Sequence, residues 1–264
     1  MMKKILWDKR YGGFVWHLIF AAGFIGLSLL FLQLTEGVTW FLISSALRIV
    51  FGFAILFTAC KLFELSPSEV LSNKNIKGAL IAGTGFFLFF LYFLVEVASG
   101  FGKVTGLTMG LFLSRVLLQQ LTTGFYEELN YRFLLLEGLK HTSNTRRLKL
   151  IYVFGNAVLF GLLHCVTGWN TYTFLTTGTI GFAFAVIFVK SGNIVLPMVL
   201  HFVYDFIIHI TSFMEWQHNP FFDNICACAE VAYAVMFAVS LAMLLYTPRR
   251  EKDQKDSPGK APGH

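Results

Sequence analysis

The stretch Phe125-Tyr126-Glu127-Glu128-Leu129-Asn130-Tyr131-Arg132 lies inside one long apolar run, residues 104–140. An ionisable group in hydrocarbon costs about 3 kcal/mol on insertion scales unless it faces a partner or a wet cavity. A chain that keeps two glutamates and an arginine there must fold so that they turn away from lipid. Two further apolar runs carry the same burden, in Phe160-Gly161-Leu162-Leu163-His164 and His201-Phe202-Val203-Tyr204-Asp205. The reading is an all-α, polytopic integral membrane bundle closed around a polar interior.

Composition agrees. The chain is 56% hydrophobic and 14% charged, against roughly 25% charged in a soluble domain. Windows long enough to span a bilayer, about 20 residues, fall at 14–34, 39–62, 79–98, 104–140, 150–168, 174–190, 194–213 and 225–246. The expectation is therefore about eight transmembrane helices. The fourth window would extend about 55 Å as one helix, so it is expected to bend near Thr122-Thr123-Gly124.

Loop charge gives the orientation. Four Lys/Arg precede the first window, three lie in 61–78, four in 140–149 and five in the tail. The intervening 35–38, 167–173 and 214–224 loops have none, and 99–103 and 190–193 have one each. High and low alternate, which places both termini in the cytoplasm. The net charge of +6 is thus a topology signal. No basic surface interleaved with aromatics points to nucleic acid.

Met1 to Arg10 resembles a signal-peptide n-region, but the apolar run after it is too long and lacks a small-x-small cleavage site. A retained first helix is expected, within a single transmembrane domain over 1–246 whose motif-bearing core is 104–210. Residues 247–264 are charged, contain Pro and Gly, and are expected to be disordered. Cys60, Cys165, Cys226 and Cys228 form no C-x-x-C pair and read as free, buried thiols. The five tryptophans fall near helix ends, as an interfacial belt requires.

Helical spacing then sorts the polar groups. Glu128 and Arg132 are i and i+4 and share a face, which leaves Glu127 for another task. His201, Asp205 and His209 repeat at i, i+4 and i+8 as one polar stripe, with Pro197 upstream to kink the helix and open space. Gly155 and Gly161 let a neighbouring backbone approach the His164 helix. At 1.5 Å per residue, Glu127, His164, His201 and Asp205 all lie about 10–22 Å from the cytoplasmic helix ends. One level in the bilayer suggests one site. A Glu/His pair offers the base and acid that amide hydrolysis needs, and a second histidine offers stabilisation of the oxyanion.

In this order and spacing, Glu127-Glu128-x-x-x-Arg132, Phe160-x-x-x-His164 and His201-x-x-x-Asp205 resemble the CAAX-protease and bacteriocin-processing (CPBP, or ABI) family of intramembrane endopeptidases, over about residues 104–210. The resemblance implies peptide-bond hydrolysis in the membrane on a membrane-embedded or lipidated protein or peptide. Its best-understood members remove the last three residues of prenylated CAAX proteins, and bacterial relatives are linked to bacteriocin immunity. It implies that Glu127 and His164 activate water, that His201 and residue 205 stabilise the oxyanion, and that Glu128 and Arg132 support them.

Asp205 stands where the best-studied CAAX-cleaving members carry Asn. An ionised Asp cannot donate to an oxyanion. It must be protonated, orient His201, or join Glu127, His164 and His201 around a divalent metal such as zinc. Competing functions are a proton- or ion-coupled transporter and a catalytically silent scaffold for bacteriocin-type immunity; the paired broken helices of transporter repeats are not seen. Arg48 and Arg115 are expected to snorkel or to pair with Glu96 or another acid. His17 and His141 are expected at the interface and His218 outside the membrane.

Overall fold

A computed structural model describes residues 5–142 and 145–246. The expected disordered tail, 247–264, lies outside them. The described chain is all-α apart from one two-stranded ribbon, Lys103–Val104 (β1) antiparallel to Met214–Glu215 (β2). Besides a single turn at Pro67–Val70, the helices are α1 (Gly12–Leu34), α2 (Gly37–Phe63), α3 (Ile76–Ala82), α4 (Thr84–Ser99), α5 (residues 109–141), α6 (Arg146–His164), α7 (Thr171–Ser191), α8 (Val195–Thr211), α9 (Pro220–Cys226) and α10 (Ala229–Leu245). Each apolar window of the sequence therefore becomes helix, but not each becomes a straight span. Helices α1, α2, α6 and α7 are long and apolar enough to cross a membrane. The α3–α4 and α9–α10 pairs bend by 65° and 43° at short breaks and raise the number to as many as six.

Local chemistry sets the ends. Asn75, Thr145 and Asn170 each accept from a backbone N–H three residues on and so cap α3, α6 and α7. Gly192, at φ 70°, ends α7 in the left-handed conformation that favours glycine. Pro197 does not kink α8. It sits in the first turn, where its missing N–H is one that the helix would leave unpaired anyway.

Helix α5 also departs from the expectation. It is α-helical through Thr122-Thr123-Gly124, and its irregularities flank that point as two π-helical stretches, Phe112–Leu118 and Glu128–Leu134. Such wide turns are rare and concentrate at functional sites.

The core gathers round α7, where residues 180–188 are all buried. Small residues bring the site-bearing helices close. A Cβ on Gly124 would lie 2.8 Å from the Met198 carbonyl, so α5 and α8 meet backbone to backbone. Gly161 does the same for α6 against Phe174 of α7, at 2.6 Å. Gly155 has open space beside it, so the close approach expected there occurs only at Gly161. Outward-facing Leu, Ile, Val and Phe are exposed along α1, α2 and α6, as helices dissolved in lipid require.

Candidate active site

Glu128 and Arg132 are both fully buried and their charges meet at 3.2 Å (Oε2 to Nε). The Arg132 guanidinium lies 4.2 Å over the ring of Phe160 and 5.5 Å over that of Phe184. Glu128 turns its other oxygen to α8 and accepts from His201 Nδ1 at 2.7 Å. Because a carboxylate can only accept, Nδ1 carries the proton there. His201 Nε2 faces Asp205 Oδ2 at 3.3 Å and Glu127 Oε2 at 3.8 Å. One imidazole thus ties together three carboxylates from two helices, and Glu128 locks its orientation.

Glu127 plays a different part from its neighbour. Its Oε2 has no hydrogen-bond partner. It lines a cavity of about 580 Å³ together with Arg48, Gln119, Gln120, Thr123, His164, Tyr204, Asp205, His209 and α7 threonines. That volume is in the range of small-ligand sites. His164 donates from Nδ1 to the Phe160 carbonyl at 2.7 Å, which leaves Nε2 free for chemistry. A smaller space of about 210 Å³, lined by Ala21, Phe24, Ile25 and Leu163 among others, shares Arg48, Glu127 and His164 with the large one. A third space, about 490 Å³ between α7 and α10, shares Thr176 and Tyr233 with the main cavity and reaches exposed Tyr172 and Leu175.

The structure therefore brings Glu127, His164 and Asp205 to one cavity. His201 is buried behind them rather than lining it. The four do not suit a metal. Among the described residues no three His, Cys, Asp or Glu side chains are disposed to hold one, and His201 turns both ring nitrogens to carboxylates.

Two expectations for other residues change. His17 is not interfacial: it is wholly buried against the Asn130 carbonyl and side chain, at 3.3 and 3.2 Å. Arg48 does not pair with Glu96. It bonds to the Ser44 carbonyl and hydroxyl one turn away and lines the cavity. Arg115 stacks over Phe41 and Phe213 at 5.6 and 5.0 Å. Sequence reading missed Arg48 because it lies outside the motifs. The available signal was a serine four residues before an arginine in mid-span.

Residues 109–207 match the family model for Type II CAAX prenyl endopeptidase Rce1-like. This segment is similar to the Rce1-like family. The match runs from the start of α5 through most of α8 and takes in every carboxylate and histidine of the cavity except His209. No curated protein and no solved structure matches the chain. The apolar helices, together with this likeness, mark a multi-pass membrane protein. Arg48, on α2, comes from outside the matched segment.

Proposed function

We propose that the chain is an intramembrane endopeptidase of glutamate type that hydrolyses a peptide bond in a membrane-associated, lipidated protein or peptide. The observation that carries this is the facing of Glu127 and His164 on one cavity, within the segment that matches a prenyl endopeptidase family. Glu127 takes a proton from water, and the water oxygen bonds to the scissile carbonyl carbon. His164, fixed through Nδ1, positions that water through Nε2. As the C–N bond breaks, the proton passes from Glu127 to the leaving amine. Each such proton transfer contributes about 10²–10⁴-fold.

His201, behind the cavity wall, presents its Nε2 edge between Glu127 and Asp205 and positions those two carboxylates without touching substrate. Asp205 orients His201 rather than donating to the oxyanion, which accounts for an acid at this place. Glu128 and Arg132 hold the imidazole and do not react. The space between α7 and α10 offers an apolar substrate tail a way to the cavity from lipid. The alternating loop charge places both termini in the cytoplasm, and no metal is needed for any step.

The test is cleavage of matched lipidated and unlipidated peptides by the purified protein in vesicles, read by mass spectrometry. The expected result is preferential cleavage of the lipidated peptide and its loss in His164→Ala. Equal background from both proteins on both peptides would refute the reading.

A further inference from the structure

A groove between the start of α1 and the outer face of α6 takes no part in the hydrolysis described above. It encloses about 230 Å³, with Phe14, Leu135, Ile151 and Leu159 as its apolar wall. Arg10 supplies its charge and Asn156 its amide. Gly155 keeps it open, because nothing lies within 4 Å of where a Cβ on this residue would be. From Ile151 to Leu159 the groove follows α6 for about 12 Å. Tyr152 donates to the Arg10 carbonyl at 3.4 Å, which places Arg10 towards the end nearer the start of α6.

The polar groups of this groove are free to take a ligand. Arg10 is exposed, and among the described residues no carboxylate comes within 4.0 Å of its guanidinium. The nearest acid in sequence, Asp8, accepts instead from the Arg10 backbone N–H at 2.8 Å. Lys9 and Lys140 are engaged by Glu64 and Glu137, whereas Arg146, Arg147 and Lys149 open α6 from the same end with no such partner among the described residues. One turn deeper than Tyr152, about 6 Å along the helix, Asn156 is fully buried and its Oδ1 has no hydrogen-bond partner. Its Nδ2 donates to the Tyr131 carbonyl, which uses one of the two hydrogens on that nitrogen. A cation, then an amide with unused capacity, then an apolar trough lie in that order along one helix.

We propose that this groove binds one anionic phospholipid, with its phosphate on Arg10, its glycerol ester region at Asn156, and the upper part of an acyl chain along Phe14, Ile151 and Leu159. A guanidinium suits phosphate, since it can form two parallel N–H···O bonds. The unpaired cations at the start of α6 favour a headgroup with net negative charge over a zwitterionic one. The exposed Phe14 and Ile151 already lie among lipid tails, so the chain reaches the trough without leaving the bilayer. The site stands whether or not the protein is a hydrolase.

The test is native mass spectrometry of the delipidated protein in detergent, titrated with dioleoyl phosphatidylglycerol or dioleoyl phosphatidylcholine. Wild type should bind one phosphatidylglycerol roughly 5-fold more tightly than phosphatidylcholine, the worth of one basic side chain at the membrane surface. Arg10→Gln should bring that ratio towards one, and Arg10→Lys should keep most of it. Lys103→Gln removes a charge at the distant ribbon and should leave the ratio unchanged. Gly155→Leu fills the open groove without meeting a neighbour and should weaken both lipids, each variant being checked for monodispersity. Equal binding of the two lipids by wild type would overturn the site. An equal fall in Arg10→Gln and Lys103→Gln would assign the preference to diffuse surface charge, and undiminished binding by Gly155→Leu would place the lipid elsewhere; either result also overturns it.

Discussion

Two adjacent glutamates offer a sharp contrast, because their surroundings differ so completely. Glu128 is fully buried and serves Arg132 at 3.2 Å and His201 at 2.7 Å. Replacing it by Gln keeps the volume but leaves a buried guanidinium without its counter-charge. Breaking a buried pair from one side costs about 3–5 kcal/mol. The lower end applies here, since chains unfolded within a membrane find substitute partners. About 3 kcal/mol is a change of roughly 150-fold in the folding equilibrium. Glu127 has one oxygen with no hydrogen bond and its nearest basic partner at 3.8 Å. Glu127→Gln should therefore change stability by less than about 1 kcal/mol, yet reduce hydrolysis by about 10²–10⁴-fold. Stability would be followed by denaturation in mixed detergent micelles, and activity on a fluorogenic lipidated peptide. If Glu127→Gln unfolds as readily as Glu128→Gln, or Glu128→Gln stays fully stable, the division of labour between the two carboxylates is wrong.

Three other outcomes follow from the same geometry. Gly124→Val should push α5 away from α8, because any Cβ at this position meets the Met198 carbonyl at 2.8 Å, at a cost of about 1–3 kcal/mol; unchanged stability and activity would show that this contact is not needed. A chelator should leave the rate of cleavage unchanged, because no donor set for a metal exists among the described residues; inhibition reversed by added zinc would contradict this. At the end of α2, the hydrogen bond and charge of Lys9 hold Glu64 below its usual carboxylate range. That tie adds stability above the free glutamate range and loses it as pH falls through the lowered value, so Lys9→Gln and wild type should differ slightly at neutral pH and converge in acid.

Much of this was legible because lipid is a demanding solvent. Hydrocarbon leaves backbone groups no partner but their own helix, so apolar windows translate into helices within a few residues. The breaks that bend α3–α4 and α9–α10 were not legible, since they depend on how each half packs. The Glu128–Arg132 pair followed from simple i, i+4 spacing. The π-helical turn from Glu128 to Leu134 left no trace in composition. Pro197 misled because a proline bends a helix only in its interior, and its position relative to the start of α8 rests on Asn193, whose side chain accepts from Leu196 N at 2.9 Å. His17 read as interfacial, whereas it is buried against Asn130 on another helix. Arg48 escaped for the same reason: its role depends on which helix α2 faces.

The most direct measurement is a single-turnover cleavage in ¹⁸O-labelled water, with the new C-terminus analysed by mass spectrometry for wild type and Glu127→Gln. Hydrolysis by water activated at Glu127 predicts one solvent oxygen in the new carboxylate with wild type and no product with Glu127→Gln. Product formed equally by both proteins, or by neither, would contradict it.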